Sequence, residues 1–235
     1  MSDLQPDPLL MIPGLLCSPA LFAAQSAAFG VSRPVVIADP ACGDRVGAIA
    51  GRILADAPDR FALAGLSMGG YIAFEILRQA PSRVTRAAFL DTSALPDPPE
   101  READRRSLIE LARRAGVREV QRQLLPRLLH PTRLSDRPLC DRVLEMADAV
   151  GFEAFVRQQE AIIARPDSRP SLAAITCPTL VVVGAQDALT PVDVAERIVA
   201  DIAGCRLVVI PDCGHLSTLE CPDLVNRALA TWLSV

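Results

Sequence analysis

Phe61-Ala62-Leu63-Ala64-Gly65-Leu66-Ser67-Met68-Gly69 is the stretch on which the reading of this chain turns. An apolar run leads straight into a G-x-S-x-G pentapeptide, Gly65 to Gly69, and a helical pattern follows. The run reads as a buried strand, so Ser67 falls on a sharp strand-to-helix turn. A turn this tight holds its middle residue in a strained backbone conformation. A side chain at position 65 or 69 would collide with the facing backbone, which accounts for glycine at both. Ser67 then projects clear of the sheet edge. The helix behind it aims free N–H groups at any negative charge that develops there.

Working outward, two later segments have the same form. Val181-Val182-Val183-Gly184-Ala185-Gln186-Asp187 is an apolar strand ending in an acid. Leu207-Val208-Val209-Ile210-Pro211-Asp212-Cys213-Gly214-His215 is another, ending in a histidine. In all, six short apolar runs read as buried parallel strands: Pro8–Ile12, Pro34–Ala38, Phe61–Ala64, Val84–Asp91, Thr179–Gly184 and Arg206–Ile210. Helical patterns lie between most of them, at Asp44–Ala57, Ser67–Gln79, Pro191–Ile202 and Pro222–Leu233. This alternation predicts an α/β fold with helices on both faces of a parallel sheet. Thr190 reads as the cap of the helix that Pro191 opens. Between Leu95 and Thr176 the alternation stops. About four helical patterns follow there, near 100–115, 117–129, 138–150 and 152–164, bounded by Pro96-Asp97-Pro98-Pro99 and Arg165-Pro166-Asp167-Ser168-Arg169-Pro170.

Ser67, Asp187 and His215 come in that chain order, each just past a strand end. On these residues the chain resembles the α/β-hydrolase superfamily along nearly its whole length, and within it the small esterase and enol-lactonase-like branch. The resemblance implies the α/β-hydrolase fold: a mostly parallel sheet of about six strands, helices on both faces and an inserted helical cap. The core is expected at 1–95 and 176–235, and the cap at 96–175. The chain begins close to its first catalytic loop, so the two leading antiparallel strands of larger members are not expected.

Ser67 is the candidate nucleophile. Its hydroxyl needs a base during attack, and His215 suits proton transfer near neutral pH. The other histidine, His130, lies in the helical insertion beside Pro131 and reads as an ordinary cap residue. Asp187 is placed to bind the far imidazole nitrogen, fix the tautomer and stabilise the imidazolium. Gly184-x-x-Asp187 followed by Thr190-Pro191 resembles the acid loop of the family. Asp91, at the end of the fourth run, is the rival acid; it ranks below Asp187 and is expected to be structural. Asp212 reads as shaping the His215 loop. An oxyanion site needs two convergent backbone donors. The resemblance points to the N–H of Met68 and, in Ile12-Pro13-Gly14-Leu15-Leu16-Cys17, to that of Leu15, with Leu16 as the alternative. Pro13 stands where relatives usually carry histidine. Cys17 reads as a small buried apolar residue near the pocket. The implied reaction is acyl transfer to Ser67 and then to water, with no cofactor and no metal.

Composition narrows the classes further. The chain has 235 residues, half of them hydrophobic, enough for one α/β domain with a sizeable core. A net charge of −4 gives no basic footprint for nucleic acid. No apolar stretch is long enough to span a membrane. The segment Met1–Asp7 lacks the positive start of a secretory leader. Seven scattered cysteines without a C-x-x-C favour free thiols in a reducing cytoplasm. There is no lysine; all 24 basic residues are arginine. That excludes Schiff-base lysine chemistry, a Ser–Lys dyad and a P-loop, and two histidines argue against a multi-histidine metal site.

Fourteen of the arginines fall in 97–170 against 13 acids, so the insertion is near +1 and the remainder near −5. An arginine there is suited to a substrate carboxylate, but solvated helix faces explain the same pattern and no single arginine is assigned. The expected partner is a small-molecule ester or lactone, with the protein a monomer or homodimer. Thioester, amide or carbon–carbon bond hydrolysis, acyl transfer, cofactor-free perhydrolysis and a non-catalytic receptor on the same fold stay open.

Overall fold

A computed structural model of the chain describes residues 6–234. The leaderless reading of the N-terminus rests partly on residues 1–5, outside the described residues. Six strands form one sheet: β1 (Leu9–Ile12), β2 (Val35–Ile37), β3 (Phe61–Leu66), β4 (Val84–Leu90), β5 (Thr179–Gly184) and β6 (Arg206–Ile210). Their order is β2-β1-β3-β4-β5-β6, and every pairing is parallel. The expected "mostly parallel" sheet is thus wholly parallel among the described residues.

The helices are α1 (Ala23–Phe29), α2 (Val46–Asp56), α3 (Met68–Gln79), α4 (Pro99–Ala115), α5 (Val117–Leu128), α6 (Arg137–Ile163), α7 (Arg169–Leu172), α8 (Val192–Asp201), α9 (Ser217–Glu220) and α10 (Pro222–Leu233). The insertion's last two helical patterns are joined in α6. Gly151, at φ 76° and ψ 173°, breaks that run where the sequence places the boundary. Helix α1 is an addition to the sequence reading. Its AAQSAAF has too few large apolar residues to mark a stripe.

Strand alternation sorts the core into two layers. Leu10, Ile12, Leu63, Phe89, Val181 and Val183 face α2, α3 and α8. Leu9, Met11, Ala62, Ala64, Leu90 and Val182 face α1 and α10. Both faces are covered, so the central strands read as continuous apolar runs rather than alternating ones. A third cluster lies among the helices between β4 and β5. Ile109, Ala112, Val117, Val120, Ala147 and Phe155 meet there with Leu16, which comes from the loop after β1.

Topology fixes where a site forms. From β1 the chain steps outward to β2, then crosses back to β3 on the opposite side and continues to β6. Loops leaving β1 and β3 therefore diverge at their carboxyl ends and open a crevice at this switch point. Ser67 lies on one of those loops and Gly14–Cys17 on the other.

Gly65 and Gly69 make the turn after β3 possible. A Cβ on Gly65 would sit 2.3 Å from the Gly69 carbonyl oxygen, and one on Gly69 would sit 2.0 Å from the Ile12 carbonyl oxygen. Both obstacles are backbone and cannot rotate away. Gly69→Ala is expected to lose about 1–3 kcal/mol of stability through overpacking, read as a lower urea midpoint with an unchanged slope.

Candidate active site

Ser67 has φ 54° and ψ −116°, a region non-glycine residues seldom occupy. Two bonds hold it there: its N–H donates to the Leu90 carbonyl at 2.9 Å, and its carbonyl accepts from Thr92 Oγ1 at 2.7 Å. The hydroxyl stands at the carboxyl edge of the sheet, half-buried.

His215 and Asp187 arrive from the loops after β6 and β5. Ser67 Oγ donates to His215 Nε2 at 2.9 Å, and His215 Nδ1 donates to Asp187 Oδ2 at 2.8 Å. The three side chains called from the sequence thus form one hydrogen-bonded line. Asp187 is itself held. Its Oδ1 accepts from the N–H groups of Leu189 and Thr190 at 2.8 and 3.0 Å, and its Oδ2 from Thr190 Oγ1 at 2.7 Å. Thr190 therefore serves the acid and not the helix. The cap position of α8 belongs to Pro191, and the helix begins at Val192. The sequence reading of Thr190 as a cap is corrected, because the carboxylate is the stronger acceptor within its reach.

Asp91 is also close but does not join the line. Its Oδ1 accepts from the Gly184 N–H at 2.9 Å, and its Oδ2 takes the Ser217 hydroxyl. It links the ends of β4 and β5 to the segment that follows His215. Glu220 plays a similar part, and sequence reasoning missed it. Its two oxygens accept from the N–H groups of Gly214, at 2.9 Å, and His130, at 2.7 Å. The Leu128 carbonyl accepts from the His215 N–H at 2.9 Å, so the histidine loop is tied to the end of α5. His130 has only this backbone role here; its ring bonds Thr132. Asp212, at φ 51°, turns the chain out of β6.

The donors proposed for an oxyanion separate cleanly. The Leu16 N–H is occupied by Gln158 Oε1 at 3.1 Å. Those of Leu15 and Met68 donate to no acceptor among the described residues. Leu15 also lines the cavity over Ser67, and Leu16 does not. Cys17 is buried and lines it too; burial pushes its thiol up to about 12, so it holds no thiolate at neutral pH.

The charges are set by burial and by neighbours. Burial alone would lower the His215 pKa, but the Asp187 carboxylate, with Asp91 and Glu220 behind it, reverses this and the net shift is upward. For Asp187 burial pushes up, and the His215 charge and hydrogen bonds pull further down. Burial and the nearby Asp187 charge push Asp91 up to about 8. A histidine acting as base works in its neutral form. Its activity is therefore expected to rise with pH through an apparent pKa above the ordinary 6.5, as read from kcat/KM against pH. An acid limb centred at or below 6.5, or no acid-side loss at all, would contradict this reading of His215.

The cavity over Ser67 holds about 100 Å³ and is bounded by Gly14, Leu66, Tyr71, Leu124, Leu189 and Leu216, besides residues of α4 discussed below. Among the described residues no three His, Cys, Asp or Glu side chains converge as metal ligands would, and no helix is long and apolar enough to cross a membrane.

A wholly parallel sheet with a serine on a strained strand-to-helix turn, facing an acid-supported histidine, has the form of a hydrolase. The chain belongs to the alpha/beta hydrolase family, whose family model matches residues 10–228. A thermophilic esterase from Thermogutta terrifontis, in a malate-bound structure, superposes with a TM-score of 0.87 at 30% identity, over 97% of this chain and 89% of that one. The enol-lactonase from Burkholderia xenovorans LB400 superposes at 0.88 with 23% identity, over 100% and 94%, a likeness of fold. A 2-hydroxy-6-oxononadienedioate/2-hydroxy-6-oxononatrienedioate hydrolase from Klebsiella pneumoniae is 37% identical over 84 residues. That match spans 35% of this chain and 29% of the relative.

Proposed function

We propose that the protein is a serine hydrolase that cleaves a small carboxylic ester or lactone through an acyl-enzyme on Ser67. What carries the reading is the hydrogen-bonded line Ser67–His215–Asp187, facing a cavity lined by Leu15, whose N–H has no acceptor among the described residues. Ser67 Oγ attacks the acyl carbonyl as His215 Nε2 takes its proton. The oxyanion rests on the N–H groups of Leu15 and Met68, which are worth roughly 3–4 kcal/mol per donor in comparable sites. The carbon–oxygen bond of the ester then breaks, and the leaving alkoxide takes the proton from His215. Water, deprotonated by the same histidine, attacks the acyl-enzyme and releases the acid. Residues 96–175 serve as a helical cap over the core formed by 1–95 and 176–235. The seven free cysteines suit a reducing compartment.

The test is hydrolysis of a p-nitrophenyl ester series from acetate to decanoate, with fluorophosphonate labelling of the same sample. Activity with labelling on Ser67 is the expected result. Labelling without ester turnover would move the reading to a narrower substrate, such as a thioester or a carbon–carbon bond. Folded protein that neither turns over nor labels would defeat the hydrolase reading.

A further inference from the structure

One wall of the cavity over Ser67 is built from the inner faces of α4 and α5. Residues 101, 104, 105 and 108 recur at helical spacing on α4, and 121, 124 and 128 on α5. Arg101, Arg105 and Arg127 line this wall against a single carboxylate, Asp104. Arg101 and Arg127 have no ion-pair partner among the described residues; Arg101 makes one long bond, 3.5 Å, to the Leu189 carbonyl.

Arg105 does have an acid, but shares it. Asp97 meets Arg105 through one oxygen and Arg165 through the other, the latter at 2.7 Å; the Arg105 side chain is 15% exposed and those of Asp97 and Arg165 are 5%. Burial would raise the Asp97 pKa, but the two guanidinium groups hold it down at about 2, so it is ionised. Two cations therefore share one anion in nearly dry surroundings. Arg165 is already saturated: it bonds the carbonyls of Leu95 and Ile162 and stacks on the Tyr71 ring at 4.3 Å. Arg105, whose other bond goes to the neutral Gln159 amide oxygen at 3.0 Å, is the member that faces the cavity.

Gln121 is the independent observation. It is 2% exposed and lines the same cavity, and its amide makes no hydrogen bond to any described residue. Its amide atoms are not among the buried polar atoms left without a partner, so they open onto the cavity, where an entering polar group can meet them. Four arginines against Asp97 and Asp104 leave the wall about +2, and a neutral donor stands beside them. Planar guanidinium forks and an amide N–H₂ fit a carboxylate.

We propose that this wall is an anion subsite, and that the substrate carries a carboxylate besides the scissile acyl group, as in a short dicarboxylic monoester or the lactone of a dicarboxylic acid. The proposal rests on the acyl-transfer reading of Ser67 for its reaction, but not for its binding. Carboxylate binding to Arg101, Arg105, Arg127 and Gln121 requires no turnover.

Two measurements separate these. In the first, monoethyl succinate, glutarate and adipate are compared with ethyl butyrate, valerate and hexanoate, matched in acyl length. The wild type is expected to favour the charged ester at one length by about tenfold or more in kcat/KM. The ratio should fall towards one in Arg101→Gln/Arg127→Gln and in Gln121→Leu, and with added salt. Because the readout is a ratio, a general loss of activity in a variant does not imitate the effect. In the second, glutarate and valerate are titrated calorimetrically into folded Ser67→Ala. Tighter, salt-sensitive binding of glutarate that is lost on adding Arg101→Gln/Arg127→Gln supports the subsite even if no ester is cleaved, in which case only the ester reading falls. Active enzyme with no preference for the charged esters, and no preference for glutarate over valerate, overturns the subsite and leaves the hydrolase standing.

Discussion

Ser67→Ala is expected to remove turnover by a factor of about 10⁵–10⁶, as loss of the nucleophile does in other serine hydrolases. The fold should barely register the change. The hydroxyl makes one bond, to His215 Nε2, while the turn itself is held by backbone: Ser67 N–H to Leu90, and Thr92 to the Ser67 carbonyl. Alanine carries the same Cβ, so the strain at φ 54° is unchanged. Purified variant and wild type should therefore unfold at similar urea midpoints, and only the wild type should label with a fluorophosphonate. Retained ester turnover in the variant would remove the central claim about this site.

Asp187→Asn is the second large effect, about 10⁴-fold in kcat by the precedent of such triads. The cause is tautomer control and not loss of structure. Asparagine keeps an oxygen for the Leu189 and Thr190 N–H groups, so its loop survives. Its N–H₂ then faces His215 Nδ1, which must accept in place of donating. The proton moves to Nε2, and Nε2 can no longer take the proton of Ser67. Asp91→Asn is the control. Asp91 makes no hydrogen bond to the imidazole, and its bonds go to Gly184 and Ser217. Turnover should stay within about tenfold of wild type, because burial already favours a neutral side chain there. The acid limb of the pH profile should barely move, because the Asp91 carboxyl is already largely neutral below pH 8. If Asp91→Asn proved the more damaging of the two in well-folded protein, the acid would be reassigned to Asp91.

Strong local signals carried most of the fold. The runs that became β1, β3 and β5 and residues 87–90 of β4 are almost purely apolar, because a parallel sheet buried on both faces demands it. The G-x-S-x-G turn was legible because its glycines answer to backbone collisions, which tolerate no substitute. Helix α1 was not legible, since seven mostly small residues leave no apolar stripe. Thr190 was misread because threonine before proline is a common helix start, and the pull of a carboxylate three residues away depends on how the loop folds. Glu220 was passed over for a related reason. Its partners, Gly214 and His130, lie 6 and 90 residues away, and no spacing rule reaches the second.

The sequence by itself determined the strand–helix alternation, the turn that exposes Ser67 and the order Ser67, Asp187, His215. Each follows from local chemistry: apolar periodicity, glycine at a close approach, polar residues just past strand ends. Only the tertiary structure decided between neighbours of equal promise. It put Asp187 and not Asp91 against the imidazole, occupied the Leu16 N–H with Gln158 while leaving Leu15 free, and turned three of the insertion's fourteen arginines toward the cavity. Those choices depend on distances of a few ångströms between residues far apart in the chain, and hydrogen bonds form only over such distances.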